Sequence, residues 1–355
     1  MHTAENALLA KTRAMYARRL TPEQYEDIRN CRTSGEVAAY LKDKTPYGRY
    51  MTTTDPNTIH RGRLENRLRE IQSRHLAGLS RYAYAIHSPF YTCFLLEWET
   101  EQLQRALAYA AGHLPMELPA APEFFIAHSS VDWAAVERAD SADAWVQALS
   151  GTPYEKLCRP LVRADSPVDM AALDQALRRY RTQRLLALAQ TAYAGAERQA
   201  VLEQLKTEID CTNLVLIYRT GVLRRFPAGA GAFLLEGGLL TDAQLRQLLA
   251  AADRRAFNEV LSHTRYRELT VQAEEYVELT ADRWWFRYCQ RQLRFTTDPS
   301  VAMLCYAALR RLELKNILHL IEGVRYGVTH RHRRRHAHRR GEVRRRNLWQ
   351  LKKCG

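Results

Sequence analysis

Apolar residues recur along this chain at helical spacing. Leu64, Leu68, Ile71 and Leu79 mark one face of a charged stretch from Arg61 to Leu79, and Leu245, Leu248 and Leu249 do the same within 239–249. A period of three to four residues collects such positions on one side of a helix. Sustained alternation with period two, bounded by Asn-Gly or Asp-Gly turns, is absent. The pattern predicts an all-α fold.

The start signals agree. Thr21-Pro22-Glu23-Gln24 combines an N-cap, a proline at the first helical position and a glutamine three residues on, and Thr241-Asp242-Ala243-Gln244 repeats the capping box. These two belong to a module that recurs three times. The copies end in Thr45-Pro46-Tyr47, Thr152-Pro153-Tyr154 and Thr264-Arg265-Tyr266. Eleven residues before each threonine stands a helix-starting residue, Ser34, Ser141 or Asp253. A second start lies about a dozen residues earlier, at Thr21, at Ser129 or Ser130, and at Thr241. Each module therefore reads as two short helices followed by a Thr-x-Tyr turn, and the turn tyrosines, Tyr47, Tyr154 and Tyr266, are expected to hold their turns against the bundle.

Long helices follow each module. They are expected at 61–79 and 90–111, at 168–193 and 197–222, and at 271–295 and 300–326, with Pro89, Gly195 and Pro299 between the members of each pair. The second long helix of each copy carries an acid, an amide three residues later and then an aliphatic: Glu99, Gln102 and Leu103; Asp210, Asn213 and Leu214; Glu313, Asn316 and Ile317. Residues three apart share a helix face. Acid and amide then either bond to neighbouring helices of their bundle or line a central opening and bind partners there. The copies are about 110 residues apart and imply helical repeats at 1–115, 116–228 and 229–327, with a tail at 328–355.

The residues around these signals resemble the C subunit of the V-type/A-type rotary ATPases, which the eukaryotic vacuolar enzyme calls its d subunit. The resemblance rests on Arg18-Arg19-Leu20-Thr21, on Leu41 with Thr45-Pro46-Tyr47-Gly48, on Glu208-Ile209-Asp210-Cys211-Thr212-Asn213-Leu214, and on Glu313-Leu314-Lys315-Asn316-Ile317 with Gly323 and Gly327. It spans about residues 5 to 327, with a partial echo at Glu342-Val343-Arg344. It implies three similar helical bundles with pseudo-threefold arrangement forming a funnel, without catalytic activity. A protein of that kind sits peripherally on the cytoplasmic face of the membrane, receives the central shaft and rests on the proteolipid rotor ring. In such a funnel the recurring acids and amides, Asp210, Asn213, Glu313, Asn316, Glu99 and Gln102, are expected to form the polar lining of the opening or its rim and to bind partners there.

Composition adds little against this. The chain is 46% hydrophobic and 26% charged, an ordinary globular balance. No stretch approaches the roughly 18 uncharged apolar residues that cross a bilayer. Seven cysteines are scattered without a Cys-x-x-Cys pair, which argues against a zinc site or a disulfide framework. The charge is concentrated. Of the net +14, the segment 328–355 supplies +10, eleven Lys and Arg against Glu342, and leaves about +4 on the other 327 residues. In that tail His330, His332, His336 and His338 alternate with arginines, whose charge opposes metal binding there. Such a cluster is either a disordered, solvated tail or an attraction for anionic lipid headgroups at a membrane surface.

An enzyme is not indicated. No Walker-type Gly-x-x-x-x-Gly-Lys-Ser/Thr, Gly-x-Ser-x-Gly or His-Glu-x-x-His occurs, and 228–232 is glycine-rich without the lysine a phosphate loop needs. No cofactor, metal or small-molecule substrate is expected. Nucleic-acid binding would rest on the tail alone, since the body carries no basic recognition helix. His87 and His113 are lone features, and Trp284, Trp285, Phe286 and Tyr288 on one helix read as core. The rival reading is a helical scaffold of another complex, its basic tail contacting membrane or nucleic acid.

Overall fold

Caps and prolines decide where the helices begin. The computed structural model describes residues 2–112, 118–162, 168–223, 230–273 and 275–325. The tail 328–355, with Cys354 and its histidines, and His113 and Gly327 lie outside them. Among the described residues the regular structure is all helical, with no strand.

Thr21 caps helix Pro22–Asn30 and Thr241 caps helix Asp242–Ala250, each through a complete capping box with Gln24 or Gln244. Ser141 and Asp253 cap Ala142–Ala148 and Arg254–Ser262 by accepting from Ala144 N and Ala256 N. The helix expected to start at Ser34 does so, Ser34–Lys44, and Thr33 before it is the cap because its hydroxyl reaches Glu36 N. One start differs from expectation. Asp132, not Ser129 or Ser130, caps Trp133–Arg138. The first long helix runs to Ala85 rather than Leu79, and the fifth begins at Val277 rather than Val271.

The long-helix pairs are divided by three different devices. His87 takes φ 56 ahead of Ser88-Pro89, and Gly195 takes φ 53, a region that costs glycine nothing. Asp298 Oδ1 accepts from Ser300 N and Val301 N at 2.8 and 3.1 Å, seating Pro299 at the start of Pro299–Arg325.

The described residues fall into two compact units, 2–8, 72–209 and 235–237 in the first and 9–71, 210–234 and 238–325 in the second. Both main boundaries fall inside helices, Arg61–Ala85 and Gly195–Ile217. In the first unit Tyr91–Ala110 packs on Met170–Ala192 and on Ala142–Ala148. Its core holds Phe90, Phe94, Phe125 and Trp145, with Trp98 and Trp133 at a ring separation of 4.6 Å.

In the second unit Leu64, Leu68 and Ile71 join Leu20, Tyr25, Ile28, Val37 and Leu41 from the first module and Leu314, Ile317 and Ile321 from the last helix in one apolar cluster. Burying side chains of this size contributes about 1.5–3 kcal/mol each before the cost of ordering. That burial holds the first module on the last helix. Val277–Phe295 packs along Pro299–Arg325, and Trp284, Trp285 and Tyr288 are buried, with Trp285 and Tyr288 stacked at 5.4 Å.

Candidate functional site

The Thr-x-Tyr turns begin where a helix has run out of partners for its last carbonyls. The threonine hydroxyl supplies one. Thr45 Oγ1 donates to Leu41 O at 2.6 Å, Thr152 Oγ1 to Leu149 O at 2.7 Å and Thr264 Oγ1 to Leu261 O at 2.8 Å. In two copies the same oxygen accepts the tyrosine amide, Tyr47 N at 3.2 Å and Tyr266 N at 3.0 Å. One side chain thus ends the helix and aims the tyrosine two residues on.

Each tyrosine is aimed at an acid. Tyr47 donates to Glu313 Oε1 at 2.7 Å, Tyr154 to Glu99 Oε2 at 2.6 Å and Tyr266 to Asp210 Oδ2 at 2.6 Å. The structure therefore joins two sets of residues that the sequence presents separately. The acids are interior groups: Glu99, Asp210 and Glu313 are 4%, 1% and 7% exposed. A carboxylate so placed meets its own chain rather than a partner's surface. Gln102 and Asn213 are buried on the same helices, and Asn316 is half-buried.

The three locks share a plan and differ in what else each carboxylate accepts. Glu99 Oε1 accepts from Ser129 Oγ at 2.6 Å, and that hydroxyl in turn accepts from Val131 N and Trp133 Nε1 at 3.1 and 2.9 Å. Ser129, expected as a helix start, instead orients the acid. Asp210 Oδ2 takes Leu239 N and Leu240 N at 2.8 and 3.0 Å, the amides that lead into the capped helix at Thr241. Glu313 Oε2 accepts Leu20 N at 3.3 Å, just ahead of Thr21, and Oε1 also accepts from Arg310. Arg310 donates to the Tyr47 hydroxyl at 3.1 Å, so that oxygen both gives and receives. Arg310 is 5% exposed and was not foreseen, because an arginine on a helix is by default a surface group. Its one signal is its position three residues before Glu313, directly after the apolar run 301–309.

The pairing steps across the sequence copies. The turn of the second copy binds the helix of the first, that of the third binds the second, and that of the first binds the third. Each lock lies within one compact unit.

Burial raises the Glu99 and Asp210 carboxyls above the usual range, against the hydroxyl and amide bonds that favour the charged form. Burial and then the adjacent carboxylate raise the hydroxyls of Tyr47, Tyr154 and Tyr266. Burial works against the Arg310 charge, but Glu313 beside it raises the guanidinium above its ordinary value.

The consequence for Glu99 has a sign. With its folded pKa raised, stability drawn from the protonated carboxyl is complete below the unfolded carboxylate range and is lost as pH rises through the folded value. Glu99→Gln keeps an acceptor and cannot ionise. Its stability relative to the parent is expected to rise between about pH 4 and pH 7 in denaturant titrations. A difference that stays flat across that interval would show that Glu99 titrates as in the unfolded chain. Tyr154→Phe removes a bond to a carboxylate without changing shape, and a cost of about 2 kcal/mol is expected in the same assay.

Fold and locks together define a class of protein: all-helical among the described residues, with three Thr-x-Tyr turns each tied by a buried acid–tyrosine bond. The chain belongs to the ATP synthase (C/AC39) subunit family, whose members are part of the A/V-type ATPases: a sequence model of that family matches residues 8–335. A curated relative, the C subunit of the A-type ATP synthase of Pyrococcus horikoshii, is 23% identical over 280 residues, which cover 76% of this chain and 70% of the relative. Among the described residues no helix is long and apolar enough to cross a membrane, and no group of three or more His, Cys, Asp or Glu is placed to hold a metal ion.

Proposed function

We propose that this chain is a non-catalytic central-stalk component of a V-type/A-type ATPase. It couples the rotating shaft to the membrane proteolipid ring, for ATP-driven H⁺ or Na⁺ transport or for ATP synthesis, and sits peripherally at the cytoplasmic face. The observation that carries this is the family match over residues 8–335. The three sequence copies support three similar bundles forming a funnel around the shaft. In this reading the six acid and amide residues serve partner binding at the funnel or its rim, the three acids through the turns they hold. A torque adapter needs stiffness, and close-packed interiors resist deformation.

The experiment is a pull-down of the tagged full chain from gently solubilised native membranes. Co-purification of nucleotide-binding head proteins and a small proteolipid is the expected result. Recovery of neither, with nucleic acid or another assembly in their place, would leave the scaffold reading instead.

A further inference from the structure

Helix Val277–Phe295 turns Trp284, Trp285, Tyr288, Cys289 and Leu293 inward. Its outer face is basic. Arg287, Arg291 and Arg294 are exposed, and their spacing of four and three residues sets them within about 60° of arc over roughly 10 Å of helix. Phe295, 69% exposed, stands at the end of this stripe with the Arg294 guanidinium 5.3 Å from its ring centre.

The stripe is not neutralised by its own helix. Glu278 pairs with Arg219 at 3.4 Å and Asp282 with Lys315 at 2.6 Å. Arg283, the next member of the stripe, is engaged by Glu275. Among the described residues no carboxylate pairs with Arg287, Arg291 or Arg294. The carbonyls at the helix end, which attract cations, are taken by Arg13, which donates to Leu293 O, Arg294 O and Thr296 O at 3.0, 3.1 and 2.6 Å. Three guanidinium charges therefore face outward beside one large exposed ring.

The segment 328–355 does not fit this surface, being itself strongly basic, and a second copy would bring the same charge. A flat lipid surface gains little, since one apolar side chain is exposed and the rest of the apolar face is buried. Arginine forks bind carboxylates in two-toothed fashion, and arginines beside an aromatic anchor are typical of protein interfaces. We propose that Arg287, Arg291, Arg294 and Phe295 form a docking strip for an acidic helix of a partner protein, with carboxylates at i, i+4 and i+7 and an aliphatic side chain beside the last.

The test uses the purified full chain and a fluorescent helical peptide with Glu at those three positions followed by Leu. A second peptide of the same composition spreads its Glu residues around the helix. Arg287→Gln/Arg291→Gln/Arg294→Gln is expected to weaken binding of the first peptide about tenfold. Arg344→Gln/Arg345→Gln/Arg346→Gln, an equal charge change in the tail, is expected to weaken it less than about twofold, and Phe295→Ser to weaken it at unchanged charge. The wild-type chain should prefer the first peptide over the second, a comparison that needs no variant. Equal losses from the two triple variants, no preference between peptides, or stripe-dependent binding to phosphatidylserine vesicles without peptide binding would each overturn the proposal. None of these outcomes bears on the pull-down, which reads the wild-type chain in its native membranes.

Discussion

Replacing Glu313 by alanine is expected to cost about 3–5 kcal/mol, because it strands the buried Arg310 guanidinium without its counter-charge. It also leaves the Tyr47 hydroxyl and the Leu20 amide without their acceptor. The cost measures the stranded groups rather than the worth of the pair. Tyr47→Phe/Arg310→Met/Glu313→Leu removes charge, fork and hydroxyl together and should recover more than half of the loss. Urea unfolding of the two variants makes the comparison. A triple variant no more stable than Glu313→Ala would mean that the lock contributes net stability of its own.

Gly238→Ala is expected to cost about 3 kcal/mol, although it adds a single methyl group. A Cβ there would stand 1.9 Å from Asp210 Oδ1 and 2.8 Å from its Cγ. The carboxylate would have to leave Tyr266, Leu239 N and Leu240 N, three donors to one oxygen. Buried donors left without acceptors cost about 1–3 kcal/mol each. Against an Asp210→Ala background the obstructing atoms are gone, and the same glycine substitution should cost below about 1 kcal/mol. Additive costs in this double-mutant cycle would rule out the contact.

These locks divide what the chain declares locally from what it does not. Thr21, Ser141, Thr241 and Asp253 were legible as caps, since a cap is settled within three residues. Asp132 was missed by a few positions, where several capping residues stand together and only geometry chooses. The acids and the tyrosines were both legible as recurring positions. Their bonding was not, because it joins residues 55, 56 and 266 apart in sequence. Ser129 and Arg310 were hidden for a related reason: each has a commonplace local role, as a helix start or a surface charge, and tertiary contacts give it another. The two compact units were equally illegible, since their boundaries fall inside Arg61–Ala85 and Gly195–Ile217, where helical periodicity continues without a break.

The pairing of the first turn with the last helix has a consequence for how the protein is made. Tyr25, Ile28, Val37 and Leu41 emerge early from the ribosome, but Leu314, Ile317 and Ile321, which cover them, are among the last residues of the described fold. At about 5–20 residues per second, synthesis of the intervening stretch takes roughly 14–55 s. For that interval the nascent N-terminal module has Leu64, Leu68 and Ile71 to pack on, but the part of its apolar face that the last helix covers has nothing to bury it. The first module to be translated is thus among the last to be completed, and a chaperone holding it would act during elongation rather than after release.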